Sequence, residues 1–240
     1  MNAISLREWL GRAPYTLSMG AGFFGFYAHA GVLLALDHAG LLPARLTGSS
    51  AGAMVAALFA SGKTPESIVN EMLPIRRRDF WDPGAMTMLQ RGGFLKGERY
   101  GAILKEFLNC QTFEECVHPL CISVFDIAAA KTRFIQKGNL VQAVRASTSY
   151  PLLFRPLKIR GRWCSDGGVR DMPALGATQK FERVLCHSLC DHPPLSTPKR
   201  KVIDLSPLPS VHPFKMEQGA RAIEAAYSKM TLRLDERGQN

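Results

Sequence analysis

Apolar positions along this chain follow two different periods. Short apolar or alternating runs, bounded by glycine, proline or polar clusters, predict strands at 15–19, 44–47, 120–127, 133–136, 157–159, 162–165, 183–188 and 201–205. Longer stretches predict helices at 28–39, closed by Gly40, and at 51–60, closed by Gly62. The start signal Thr64-Pro65-Glu66 opens another helix to about Leu73, and 98–108 and 140–147 follow. Met216, Ala220, Ile223, Tyr227, Met230 and Leu234 fall at steps of four and three, one apolar stripe of a C-terminal helix. Residues 76–97, rich in Gly, Arg, Met and aromatics, read as an irregular loop over a pocket. Strands alternating with helices predict an α/β domain with a mostly parallel sheet covered on both faces.

Composition changes this picture little. A chain of 240 residues accommodates a single domain over 1–240, with its core at about 15–235. No apolar run approaches the ~20 residues of a membrane span. The N-terminus, interrupted by Arg7 and Glu8, does not read as a secretory signal. The six cysteines show no C-x-x-C spacing, and Cys186 and Cys190 lack a histidine-spaced partner pair, so no metal or cofactor is expected. They read as reduced, mostly buried thiols of a cytoplasmic protein.

The net charge of +10 includes two dense basic runs, Arg76-Arg77-Arg78 and Lys199-Arg200-Lys201. They read either as solvated loops or as a peripheral attachment to anionic membrane, worth ~1 kcal/mol per basic residue near the surface. No helix-turn-helix, zinc-finger or aromatic RNA-binding pattern is present, so nucleic acid is not an expected partner.

Chemistry concentrates at three places. Gly48-x-Ser50-x-Gly52 stands between a predicted strand and a predicted helix, the arrangement of a nucleophile elbow. A serine in such a turn projects its hydroxyl beside free helix N–H groups. Gly20-x-Gly22-x-x-Gly25 follows the first strand. As a dinucleotide fingerprint it lacks the acid expected at the end of the next strand, since Asp37 falls on the helix. As an anion nest it offers backbone N–H groups to a tetrahedral oxyanion. Both loops open at the carboxyl edge of the sheet, where ligands bind in such folds. Asp166, in Ser165-Asp166-Gly167-Gly168, is either a hairpin turn or the base that the serine requires. Six histidines leave a Ser–His–Asp esterase open as an alternative, though none sits in a recognisable motif.

The ordered set Gly20-x-Gly22-x-x-Gly25, Gly48-x-Ser50-x-Gly52 and Asp166-Gly167-Gly168 resembles the patatin-like phospholipase family. The stretches 143–151 and 29–33 look like it too. The resemblance implies a three-layer α/β/α fold and a Ser–Asp dyad without histidine. It makes Ser50 the nucleophile, Asp166 the general base, and the N–H groups of Ala21, Gly22 and Phe23 the oxyanion hole. The implied substrates are acyl esters of phospholipids, lysophospholipids or neutral lipids. Two positions depart from the family pattern: Ala21 replaces a glycine, and Phe24 replaces a basic residue. A catalytically silent lipid-binding module of the same fold is the remaining alternative.

Overall fold

The computed structural model describes residues 4–84, 92–179, 182–212 and 214–236. The chain begins with helix α1 (Leu6–Gly11), capped by Ser5, whose hydroxyl accepts from Glu8 N–H. Then follow β1 (Thr16–Met19), α2 (Phe26–His38), β2 (Arg45–Ser49), α3 (Ala51–Ala60) and α4 (Pro65–Met72). Within 76–97, where the sequence suggested only loop, lie α5 (Arg77–Phe80) and β3 (Gly93–Leu95); residues 85–91 fall outside the described ones. The chain continues with α6 (Glu98–Phe107), β4 (Leu120–Asp126), β5 (Lys131–Ile135), α7 (Leu140–Ser147), β6 (Leu152–Phe154), β7 (Leu157–Ile159) and β8 (Arg162–Ser165). It ends with β9 (Val184–Ser188), β10 (Arg200–Asp204) and α8 (Gly219–Asp235).

The main sheet has the order β10-β9-β1-β2-β4-β8-β7, with β5 also on β4. Strands β10, β9, β1, β2 and β4 are parallel; β5, β7 and β8 join antiparallel. Helices flank this central, mostly parallel sheet. β3 and β6 form a separate parallel pair.

One strand brings the distant parts of the site together. β2 ends at Ser49 opposite Ser123 of β4, and β8 ends at Ser165 opposite Phe125 of the same strand. The other edge of β4 is taken by β5 from Ile122 to Asp126. A strand has two edges for hydrogen bonding, so β2 and β8 share one edge of β4 and meet nearly end to end.

Burial explains the helices. All ten residues of α3 are buried, as its small and apolar sequence requires. α2 packs against α8, and a Cβ on Gly31 would stand 2.3 Å from the Ile223 carbonyl oxygen, so the two backbones pass at glycine distance. This approach turns the buried stripe of α8 toward Ala222, Ile223, Ala226, Met230 and Leu234. Ala220 is exposed and Tyr227 only half buried, a rotation from the expected stripe. Leu17, Met19, Leu33, Leu36, Leu46, Met54, Leu58 and Ile122 are among the fully buried core. Among the described residues no helix is long and apolar enough to cross a membrane.

The two basic runs part company. Lys199-Arg200-Lys201 is not a free loop. Arg200 opens edge strand β10 opposite Val184, and Val184 pairs with Thr16 at the start of β1. That run therefore lies at the amino end of the parallel strands, away from the carboxyl edge. Arg77 and Arg78 belong to α5, and Arg77 faces the cavity described below.

Candidate active site

Ser50 sits between β2 and α3 with φ 52° and ψ −119°, a backbone conformation that an L residue adopts only when its surroundings impose it. Two contacts impose it here. The Ser50 N–H donates to Ser147 Oγ (2.9 Å), and the Ser147 hydroxyl donates onward to the Ser123 carbonyl of β4 (2.7 Å). Gly52 lets α3 approach β1: a Cβ there would stand 2.0 Å from the Met19 carbonyl oxygen. Gly48 lies in β2.

The Ser50 hydroxyl donates to Asp166 Oδ2 at 2.7 Å. Asp166 caps a short 3₁₀ turn over Gly167–Val169, and its Oδ1 accepts from Gly168 N–H at 2.7 Å. Asp166 as a whole is only 3% exposed. Burial pushes its pKa up to about 6, while the bonds from Ser50 and Gly168 pull the other way.

The glycine loop lies beside this pair. Gly20 N–H donates to the His187 carbonyl (3.2 Å), and Gly25 N–H to the Gly22 carbonyl (2.9 Å). Ala21 N–H donates to the Met172 carbonyl at 2.6 Å, so it is already committed. That corrects the expected set of three amides. Gly22 and Phe23 N–H have no backbone acceptor among the described residues, and both residues line the same cavity as Ser50.

Under the loop lies a buried histidine pair. His29 Nε2 is 2.8 Å from the Gly20 carbonyl, which can only accept, so this nitrogen carries the proton. In a neutral ring His29 Nδ1 then accepts, and His187 Nδ1–H donates to it across 2.8 Å. His187 Nε2 is left as an acceptor without a partner. Burial holds the pKa of His29 down to about 4 and that of His187 well below its ordinary value. Neither ring bonds to Ser50. His212 Nδ1 accepts from Phe214 N–H at 3.3 Å.

Ser50, Asp166 and Gly168 open onto a cavity of about 600 Å³. Its walls are mainly apolar, including Phe24, Met54, Phe80 and Tyr100, with Leu95 from β3 and Phe154 from β6. The small β3–β6 pair thus forms part of the wall. Among the described residues no cluster of three metal-ligating side chains occurs. Cys190 Sγ lies 2.9 Å from Ser188 Oγ, and Cys186 Sγ lies 3.7 Å from the Pro173 carbonyl oxygen.

Nothing in its local sequence sets Ser147 apart. The structure makes it the link between the elbow and β4. Asp171 was not singled out. Its buried carboxylate accepts from Ser123 Oγ (2.6 Å) and from Leu175 and Gly176 N–H, fixing the segment whose Met172 carbonyl holds Ala21. The same segment covers the sheet face of Ser18 and Thr47, whose hydroxyls donate to the Pro173 and Ala174 carbonyls.

The sequence profile of the Patatin-like phospholipase family matches residues 17–178. Uncharacterized NTE family proteins of Mycobacterium bovis and Mycobacterium tuberculosis are each 29% identical over 158 residues, 65% of this chain and 42% of theirs. The chain therefore matches less than half the length of these curated relatives. VipD from Legionella pneumophila superposes with a TM-score of 0.60 over 93% of this chain and 67% of its own, at 15% identity, a likeness of fold. With a family profile that spans more than half its length, the chain belongs to the patatin-like phospholipase family.

Proposed function

We propose that this protein is a serine acyl hydrolase that cleaves lipid esters through a covalent acyl-enzyme. The reading is carried by the 2.7 Å bond from Ser50 Oγ to Asp166 Oδ2, in the wall of an apolar cavity. Ser50 Oγ attacks the ester carbonyl carbon while its proton passes to Asp166 Oδ2. The Gly22 and Phe23 N–H groups stabilise the oxyanion. Collapse breaks the carbonyl carbon–oxygen bond of the leaving alcohol, which takes the proton from Asp166. Water then attacks the acyl-Ser50 ester and gives a proton to Asp166. The departing Ser50 oxygen takes that proton back, and free acid is released.

An aspartate with an ordinary pKa is a weak base for a hydroxyl. Burial that lifts Asp166 to about 6 brings it nearer the working range while leaving it ionised at neutral pH. A Ser–His–Asp mechanism has less support, because the rings of His29 and His187 are bonded to each other and to Gly20. Acyl chains suit the apolar walls. Phe23, Tyr150 and Leu152 are exposed around the opening, and Arg76–Arg78 begins α5 nearby. They favour a transient attachment to an anionic membrane from which substrate enters.

The test is hydrolysis of a p-nitrophenyl acyl ester by wild type, Ser50→Ala and Asp166→Asn. Both variants are expected to lose at least a thousandfold, and a fluorophosphonate should label Ser50 alone. Equal rates in all three proteins would reject the mechanism. Lipid binding without any turnover by wild type would instead assign a silent binding module.

A further inference from the structure

The cavity that holds Ser50 and Asp166 has one cationic side chain in its described wall, that of Arg77. Arg77 opens α5, and its guanidinium lies against two rings. Its central carbon is 4.1 Å from the centroid of Trp81 and 4.4 Å from that of Phe214. Its Nε is buried without a hydrogen-bond partner.

The neighbouring carboxylates are engaged elsewhere. Asp79 accepts from Arg76 N–H (2.7 Å) and stands 3.9 Å from Arg78 Nε. Asp82 accepts from the N–H groups of Gly97, Glu98 and Arg99 at the start of α6. Glu98 pairs with Arg155 at 2.8 Å. Among the described residues no acid pairs with Arg77.

A guanidinium stays charged at any physiological pH, and a buried donor without an acceptor is costly. Aromatic contacts satisfy the faces of the ion but not its N–H edge. Nε itself is enclosed by protein, so an anion that arrives with a ligand would meet this partly buried side chain from the cavity that it lines. In an ester substrate the reacting carbonyl belongs at Ser50 and the oxyanion amides. An anion at Arg77 must be a second group of the same molecule. A phosphate matches the planar, forked donor pattern best.

We propose that Arg77 binds the phosphate of a glycerophospholipid whose acyl ester lies at Ser50, and so favours phospholipids over neutral glycerides. The inference rests on the lipid-ester reading of the site and assigns the residue that reads the headgroup phosphate.

The experiment has a binding arm and a turnover arm. Hexadecylphosphocholine carries one chain and one phosphodiester but no carboxylic ester. Its affinity for wild type, Arg77→Lys and Arg77→Met is measured by calorimetry, beside hexadecanol and inorganic phosphate. Arg77→Met should weaken hexadecylphosphocholine at least tenfold, with Arg77→Lys in between, while the hexadecanol affinity falls less than twofold. Equal weakening of both amphiphiles would show that Arg77 only shapes the wall. Inorganic phosphate binding as tightly as the amphiphile would assign a free-anion site. Either result overturns the proposal.

In turnover, the ratio of kcat/KM for phosphatidylcholine to that for diacylglycerol in mixed micelles should fall at least tenfold in Arg77→Met. An unchanged ratio overturns the proposal. Arg77-dependent binding with no cleavage of either lipid by wild type would sink the hydrolase reading and leave the phosphate site standing.

Discussion

His187 donates its Nδ1–H to His29 Nδ1 across 2.8 Å, and His29 passes the other end of the chain of bonds to the Gly20 carbonyl. The glycine loop thus rests on two rings that must both stay neutral.

Acid should therefore weaken the fold. Between pH 6.5 and about 4, an unfolded chain binds a proton at each of these histidines and the folded chain does not. Stability rises with pH wherever the unfolded state holds more protons, so both histidines stabilise the fold above 6.5 and lose that contribution as pH falls. Asp166 acts oppositely over about 4 to 6, since its folded pKa is raised. Two protons against one leave a net loss of about 1.4 kcal/mol per pH unit on acidification. Urea denaturation at half-unit steps from pH 7 to 4.5 measures this. His187→Gln removes one titrating ring and should flatten the slope nearly to zero in the same window; an unaltered slope would contradict the assignment.

The catalytic profile should follow Asp166. With its pKa at about 6, kcat/KM for a p-nitrophenyl ester rises about tenfold per pH unit below that value and levels off above it. A plateau reaching down to pH 4.5 would remove Asp166 as the base. The same raised pKa means that its charge destabilises the fold at neutral pH. Asp166→Asn should then gain about 1.3 kcal/mol relative to wild type on going from pH 5 to pH 7. Chemical denaturation at the two pH values reads the difference.

Gly52→Ala should be severe. Its Cβ would meet the Met19 carbonyl oxygen at 2.0 Å and the carbonyl carbon at 2.4 Å, both backbone atoms at the end of β1. Overpacking of this kind costs about 3 kcal/mol or more. A thermal melt should fall by many degrees or the protein should fail to express in soluble form. A melt within two degrees of wild type would show that the elbow has slack.

Ser147→Ala tests the brace behind the nucleophile. It leaves the Ser50 N–H and the Ser123 carbonyl without partners, a loss of about 1–3 kcal/mol. Because Ser147 positions Ser50 rather than touching substrate, kcat should drop about tenfold with KM little changed. A change confined to KM would count against this role.

Much of this architecture was legible in the residues. The parallel strands announced themselves as apolar runs, and helix 140–147 and strands 157–159 and 162–165 lie where the pattern put them. Ser50 and Asp166 were marked by their glycine neighbours, because only such neighbours allow the tight turns that carry them. Helix α1 was signalled by Ser5 and Glu8, a capping pair three residues apart that was passed over. What could not be read was anything set by packing between distant segments. Nothing local tells that the Ala21 amide turns to Met172, that His187 reaches His29, or that β3 and β6 pair across more than fifty residues of chain. Arg77 looked like one member of a charge run, and only its aromatic neighbours set it apart from Arg76 and Arg78.

The shared edge of β4 has an evolutionary consequence. The separation between positions 50 and 166 is fixed by a two-residue interval on one strand, not by the long excursion of chain that joins them. Segments inserted, shortened or exchanged within that excursion can remodel the chamber while the reacting atoms keep their spacing. Natural or engineered descendants are therefore free to trade chain-length selectivity without rebuilding the chemistry.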